Sequence, residues 1–459
     1  MKPALIPLYL LFLLIITACE KENDSLENSS SDVNSWIYSE MKNNYLWLDE
    51  IKELNSYNNS DSPETFFNSL ISENEKKKRN GQTYWYSYME KRTALTKVSE
   101  YPKETYGIEY VFYVIRDGIY FARVLYVLPG SPADKAGVCR GMWIKKVNGQ
   151  SLTKVNRELL ARGNGIKLDV YEGRYDTTDD ITQQIQVGPQ VSMYEHPILK
   201  DTVLLGNDGT KIGYMIYNQF TTGPTGFDDK TYNQEMIALF AKFKAAGVRE
   251  FILDLRYNPG GYLDCALLLS SCLVKASGIN KVFCIVDYNP KSALQSKTYN
   301  YKDMGNSNLN LDKIYILTGE WTASASEAVI NGLKPMMDIV QIGDTTEGKN
   351  LGSIAIQNNK YDWILHPIVA KIANAAGEGS YWNGISPTEN CLFQELNNPN
   401  PLGALGTLDD YMIQMAIKHM HLWDDRSLYS PKQTSYMQFD LKPETSSLSR
   451  KSISSIRIN

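Results

Sequence analysis

The chain has 459 residues, of which 43% are apolar and 22% charged, with a net charge of −5. That is enough apolar material for two or three domains with substantial cores, which excludes a disordered or fibrous protein. The acidic balance, with lysines and arginines scattered and not gathered into a stripe, argues against a nucleic-acid partner.

At the start, Lys2 precedes an apolar run from Ala4 to Ile16, too short for a spanning helix, which ends in Ile16-Thr17-Ala18-Cys19. This resembles a bacterial lipoprotein signal peptide over residues 1–18. The resemblance implies lipidation of Cys19 and a chain anchored through lipid in the cell envelope of a diderm bacterium, at the outer membrane, on its periplasmic or its outer face. An ordinary secretory leader with an incidental cysteine also fits the run. Residues 19–32 are polar and rich in serine and asparagine, which suits a flexible tether. Five further cysteines follow, Cys139, Cys265, Cys272, Cys284 and Cys391, an odd number lying mostly in apolar runs, so no disulfide framework is expected. No CxxC pair, HExxH or clustered His/Asp/Glu set occurs, and no metal or other cofactor is expected.

Residues 33–91 carry Trp36, Tyr38, Tyr45, Trp47, Phe66 and Phe67 at spacings that predict a small helical N-terminal domain, interrupted at Pro63. Over 99–189 the signal changes to period two. Tyr110 to Ile115 and Ile119 to Val127 predict strands, Pro129-Gly130-Ser131-Pro132-Ala133 opens a short helix, and Met142 to Val147 runs into an Asn148-Gly149 hairpin turn. This order resembles a PDZ domain. The resemblance implies peptide binding by strand addition beside Tyr106-Gly107-Ile108-Glu109, with Gly107 and Ile108 as the binding residues. Glu109 stands where the usual loop has a second glycine, and a PDZ-like spacer that binds no peptide is the other reading.

From 194 to 425 strand and helix alternate. Lys211 to Ile216, Glu250 to Leu255, Lys281 to Val286, Lys313 to Leu317 and Ile339 to Ile342 predict strands, and Lys230 to Ala246, Leu263 to Ala276 and Ser324 to Met337 predict helices. Such alternation implies an α/β layer covered on both faces, whose functional side chains fall on the turns leaving strands. Residues 426–459, rich in serine, lysine and arginine, are expected to be a loose tail.

Two motifs in this region carry chemistry. Leu253-Asp254-Leu255-Arg256-Tyr257-Asn258-Pro259-Gly260-Gly261 is a buried strand running into a Gly-Gly turn, where backbone N–H groups could approach a substrate oxygen, although such a sequence is also an ordinary tight turn. Thr322-Ala323-Ser324-Ala325-Ser326-Glu327 opens a helix, and Ser324 with Glu327 three residues on also reads as a capping box. A serine hydroxyl needs a base, histidine is nearly missing, and Lys349 follows Ser324 by 25 residues in Gly348-Lys349-Asn350.

Together these blocks resemble the C-terminal processing (tail-specific) peptidases, a serine peptidase family with a Ser/Lys dyad and an embedded PDZ domain, over residues 33 to 422. The resemblance implies an α/β multidomain fold: a small helical N-terminal domain, a PDZ-like β-rich domain, and an α/β (ClpP/crotonase-like) peptidase domain. It implies Ser324 as nucleophile, Lys349 as general base, and an oxyanion hole from the N–H of Ala325 and a glycine of the Gly260-Gly261 pair. Substrates would be proteins or peptides, held by their C-termini if the PDZ-like loop captures them. Ser353 stands where many members carry a glutamine that orients the lysine, and Thr388 replaces an aspartate in Gly384-Ile385-Ser386-Pro387-Thr388. The alternative is an anchored peptide-binding protein that keeps this fold without turnover; the presence of both Ser324 and Lys349 favours the enzyme.

Overall fold

The computed structural model describes residues 30–79, 82–92, 103–116, 118–173, 180–422, 443–450 and 456–458. The expected leader and the lipidation candidate Cys19 lie outside them. Among the described residues no helix is long and apolar enough to cross a membrane.

The N-terminal unit opens with α1 (Ser30–Asn44), which begins inside the stretch expected to be a tether and buries Val33, Trp36, Ile37 and Met41 along one face. Helix α2 (Pro63–Ser69) starts where Pro63 fits the first turn and the Ser62 hydroxyl accepts from the Thr65 N–H at 3.3 Å. The unit is not purely helical, contrary to expectation: β1 (Lys77–Arg79) and β2 (Gln82–Tyr84) form a hairpin, and β3 (Tyr88–Lys91) pairs antiparallel with Trp363–His366 far along the chain. A short strand completed by a partner that distant leaves no local periodicity to read.

Next comes a β-rich unit: β4 (Lys103–Thr105), β5 (Ile108–Arg116), β6 (Ile119–Val127), α3 (Pro132–Lys135), β7 (Trp143–Val147), β8 (Gln150–Thr153), β9 (Ile166–Tyr171), β10 (Gln183–Val187) and β11 (Val191–Met193). Its main sheet runs β10-β9-β7-β8-β6-β5. Asn148 and Gly149 both take positive φ, 53° and 75°, the turn the Asn-Gly pair predicts. Strand β6 is buried almost throughout because its two faces serve two cores. Ala122 and Val124 pack with Ile144 and Leu168 inside the unit, and Phe121 and Leu125 pack with Trp143 against the following domain.

That contact is also electrostatic. Arg140 of the β-rich unit meets Glu395, donates to Tyr257 Oη at 2.6 Å, and shares the carboxylate with Arg256, whose Nη1 lies 2.5 Å from Glu395 Oε1. Burial alone would raise the Glu395 carboxyl, but Arg140 and then Arg256 overcome it and hold the group at about 2. Its contribution to stability is therefore complete above the ordinary carboxylate range near 4.5 and is lost as pH falls through about 2. Removing one partner of such a buried set strands the others, so Arg140→Ala is expected to cost about 3–5 kcal/mol. Urea unfolding at pH 7 measures it, and a loss below about 1 kcal/mol would contradict a buried, paired Arg140.

The remaining chain carries β12 (Ile198–Leu205), β13 (Lys211–Tyr217), α4 (Thr231–Ala246), β14 (Glu250–Asp254), α5 (Leu263–Leu273), β15 (Val282–Tyr288), β16 (Lys297–Asn300), β17 (Lys313–Thr318), α6 (Ala325–Leu333), β18 (Asp338–Gly343), β19 (Leu351–Ser353), β20 (Ile356–Gln357), β21 (Trp363–His366), β22 (Ile368–Ala373) and α7 (Tyr411–His419). One sheet is ordered β12-β13-β14-β17-β18 and is parallel from β13 onward. Phe251, Leu253, Ile314 and Ile316 face α4, α5 and α6, and Ile252, Tyr315 and Ile342 face Met412, Ile413 and Ala416 of α7. Burial on both faces is why these strands read as unbroken apolar runs. A second sheet contains β16-β15-β22-β19, and β3 joins β21 and β20 in a third.

The stretch expected to be a loose tail also contributes strands. β23 (Pro443–Ser446) adds antiparallel to the free side of β5, and β24 (Ile456–Arg457) adds parallel to β19. Ile456 and Ile458 supply the apolar burial that a serine- and lysine-rich composition conceals.

Candidate active site

Ser324 follows the turn that leaves β17 and caps α6. It has φ 63° and ψ −115°, a backbone conformation rare outside glycine and typical of residues whose surroundings overdetermine them. Three bonds hold the turn against the Asn258-Pro259-Gly260-Gly261 loop: Thr322 Oγ1 to Leu255 O at 2.8 Å, Ala323 N–H to Asn258 O at 3.1 Å, and Ser326 Oγ to Asn258 O at 3.0 Å. Gly260 packs so closely that a Cβ there would stand 2.6 Å from Ser324 Cβ, and at Gly261 a Cβ would meet Phe220 O at 2.1 Å. Both glycines have φ that side chains avoid, 107° and 141°. The Gly260 N–H donates to Asn258 Oδ1 at 2.8 Å. The Ser324 hydroxyl is fully buried and, among the described residues, has no hydrogen-bond partner.

Glu327 ties the serine to the lysine. Its Oε2 accepts from the Ser324 N–H and the Lys349 N–H, both at 2.8 Å, which brings those two nitrogens within 5.6 Å of each other. Its Oε1 accepts from the Gly348 N–H at 2.7 Å and from Thr346 Oγ1. Burial raises the Glu327 carboxyl above its ordinary value, while these four donors pull the other way. The capping-box spacing had put Glu327 in view, but its bonds to a loop about twenty residues on are invisible to a helix signature.

Lys349 is fully buried, with its Nζ 4.2 Å from the centre of the Tyr86 ring. Burial pushes its amine down to about 7, against the opposing pull of Glu347, Glu75 and Glu327. The Tyr84 and Tyr86 hydroxyls donate to Glu347 Oε1 at 2.7 and 3.2 Å. Lys77 caps the same loop, donating to Glu347 O, Gly348 O and Trp382 O. Glu75, itself buried, accepts from the Tyr86 N–H at 2.8 Å, the Ser87 hydroxyl at 2.8 Å and the Tyr45 hydroxyl at 2.7 Å, fixing the segment that carries Tyr86. The N-terminal unit thus builds one wall around Lys349, a role that no residue of its sequence announced.

Ser353 lies two residues beyond Leu351 on the same face of β19 and is buried. Ala325 is the first residue of α6, buried beside Ser324. Gly107 and Ile108 lie far along the chain, at the start of β5; the Gly107 N–H donates to Thr105 Oγ1 at 2.9 Å, and a Cβ at Gly107 would strike Ser131. A cavity of about 480 Å³ opens beside Glu347, Asp344, Arg256 and Glu395, with Pro443 on its rim, but neither Ser324 nor Lys349 lines it.

The family model described as "Peptidase family S41" matches residues 211–391, and that of the "Peptidase S41 N-terminal domain" matches residues 32–93. A solved structure named as an S41 protease, from Bacteroides fragilis, is 30% identical and superposes with a TM-score of 0.73 over 84% of this chain and 97% of its own. The chain belongs to peptidase family S41. The segment that carries Tyr86 falls within the family's N-terminal domain, and Ser324 and Lys349 fall within its peptidase domain. Carboxy-terminal processing protease CtpA of Bacillus subtilis is 27% identical over 58% of this S41 chain and 52% of its own length. A carboxyl-terminal-processing protease of Picosynechococcus is 24% identical over 54% and 58%. The chain therefore spans little more than half the length of these curated relatives.

Proposed function

We propose that this S41 chain is a serine endopeptidase of the carboxyl-terminal processing type, acting on protein substrates through Ser324 and Lys349. The observation that carries the reading is the single carboxylate oxygen of Glu327 shared by the Ser324 and Lys349 main chains, which binds the two turns together. Neutral Lys349 takes the proton from Ser324 Oγ as that oxygen attacks the scissile carbonyl. The developing oxyanion is met by the N–H of Ala325, at the positive end of α6, and by an N–H of the Gly260-Gly261 pair. Since the Gly260 N–H already serves Asn258, Gly261 is the stronger donor of the two. The protonated lysine returns its proton to the leaving amine, and water then hydrolyses the acyl-serine with the same base. Ser353 is assigned as the residue that orients the lysine.

The β-rich unit is read as a PDZ-like module that presents peptides, and Cys19 as the lipid anchor that places the enzyme in the envelope. Incubation with an unfolded casein, followed by mass spectrometry of released peptides, tests the activity. Defined cleavage by the unaltered chain and none by Ser324→Ala is expected; equal cleavage by both would end the proposal. Metabolic labelling with a fatty acid tests the anchor separately, with label expected on the unaltered chain and none on Cys19→Ala.

A further inference from the structure

Two described pieces of the C-terminal stretch, residues 443–448 and 456–458, each lie on a strand edge of the kind that takes up a peptide. At the first, β23 adds antiparallel to β5, with Thr445 opposite Phe112 and Ser446 opposite Val111, and runs toward Gly107-Ile108. That edge is where the PDZ resemblance puts a bound peptide. Ser447 completes the contact: its hydroxyl accepts from the Tyr110 N–H at 2.8 Å and donates to the Glu109 carboxylate, and Leu448 beyond it is buried. Glu109 would repel a free C-terminal carboxylate, but it suits the hydroxyl of a strand that continues past the loop. The residue that departs from the usual PDZ loop therefore has a partner of matching chemistry inside this chain.

At the second place, β24 lies between the two loops that carry the candidate chemistry. The Arg457 N–H donates to Gly261 O at 3.1 Å, and the Ile458 N–H donates to Ser353 O at 3.1 Å. Ile456 pairs with Gly352 and Arg457 with Ser353, on the strand that starts two residues after Lys349. Gly261 follows Gly260, whose backbone abuts Ser324. Ile456 and Ile458 are buried, and Arg457 stacks on Tyr262 at 5.3 Å. Gly352 explains the fit: a Cβ there would stand 2.3 Å from Ile458 Cδ1, so the missing side chain is the room the isoleucine fills. Ser324 and Lys349, beside these loops, are both fully buried.

We propose that residues 443–448 and 456–458 are internal occupants of the peptide path, the first held at the β5 edge and the second between Gly261 and β19. The substrate they stand in for is an extended polypeptide with aliphatic side chains two residues apart, in the manner of Ile456 and Ile458. This deepens the peptidase reading and rests on it for the identity of the path as a substrate path. A tethered segment competes at an effective concentration in the millimolar range, so an incoming peptide must displace it before reaching the serine.

The test uses a fluorescein-labelled, C-terminally amidated peptide of sequence 443–458 and three forms of the protein, all carrying Ser324→Ala so that the probe survives. The forms are the full chain, a chain ended after residue 442, and a full chain with Ile456→Asp and Ile458→Asp. Fluorescence anisotropy is expected to show binding to the last two at least about tenfold tighter than to the first. A probe with aspartate at both isoleucine positions keeps only the β5-edge contact and is expected to bind the shortened chain at least about tenfold more weakly than the unaltered probe. Equal affinity for all three forms, or no binding to either released form with its melting transition intact, overturns the proposal.

Because shortening the chain exposes apolar surface, a second measurement uses the full-length Ser324→Ala chain without other changes. Excess unlabelled peptide is expected to accelerate deuterium exchange at the Arg457 and Ile458 amides severalfold, and unchanged exchange overturns the proposal. Casein cleavage is scored separately on forms that retain Ser324. If released forms bind the probe but no form cleaves casein, the peptidase reading fails and the occupant stands. If all forms cleave equally and bind the probe equally, the reverse holds.

Discussion

Lys349→Met is expected to lower kcat/KM by at least about 10³-fold while making the protein more stable, and the gain in stability should depend on pH. On the proposed mechanism, the activity loss follows from removing the amine that takes the Ser324 proton. The stability gain follows from the cost of burying that amine, since methionine fills a similar volume and has nothing to ionise. An unfolded lysine binds a proton below its ordinary 10.5, whereas the buried amine does so only below about 7. Between those values the unfolded chain holds the extra proton, so the stability of the unaltered protein rises with pH across the window. The methionine variant should therefore lead by roughly 4–5 kcal/mol below pH 7, with the lead shrinking to nothing near 10.5. Urea midpoints at pH 6 and pH 10 measure this. A lead that does not change with pH would mean the amine is charged or wet in the native state. The same titration predicts that kcat/KM of the unaltered enzyme climbs tenfold per pH unit below about 7 and levels off above it.

Glu327→Ala is expected to abolish turnover and to destabilise the fold by about 3–5 kcal/mol. Four donors converge on this carboxylate, from Ser324, Thr346, Gly348 and Lys349, and alanine would leave them buried without an acceptor. Thr346 can turn its hydroxyl elsewhere, but the three main-chain N–H groups cannot move without unseating the serine or the lysine. Glu327→Gln separates position from charge. An amide retains one acceptor oxygen and turns an NH₂ toward donors, so its loss should be intermediate in stability and still large in kcat. Calorimetry and single-turnover cleavage give the two readouts. A Glu327→Ala protein with native melting behaviour and a kcat within threefold of the unaltered enzyme would show that the two turns hold their places without it.

Several features were legible in order along the chain because their signals are local. The apolar runs that became β13, β14, β17 and β18 announced a sheet buried on both faces, and Asn148-Gly149 announced its hairpin. Ser324 and Lys349 stand out in the sequence as candidates because so few histidines compete for the role of base. Other features rest on partners too distant for any window to hold. β3 finds β21 more than 260 residues away, and Tyr86 reaches the ring-to-amine contact with Lys349 from the same segment.

The sequence by itself therefore determined the periodicities, the turns, and the residue types able to do acyl chemistry, since propensity and side-chain pKa act over a few residues. Only the tertiary structure decided that Glu327 would bind two turns at once, that the N-terminal unit would desolvate Lys349, and that residues 443–446 and 456–457 would lie on two strand edges. Those outcomes depend on which groups are removed from water together, and burial is a property of the assembled chain that no short stretch of it contains.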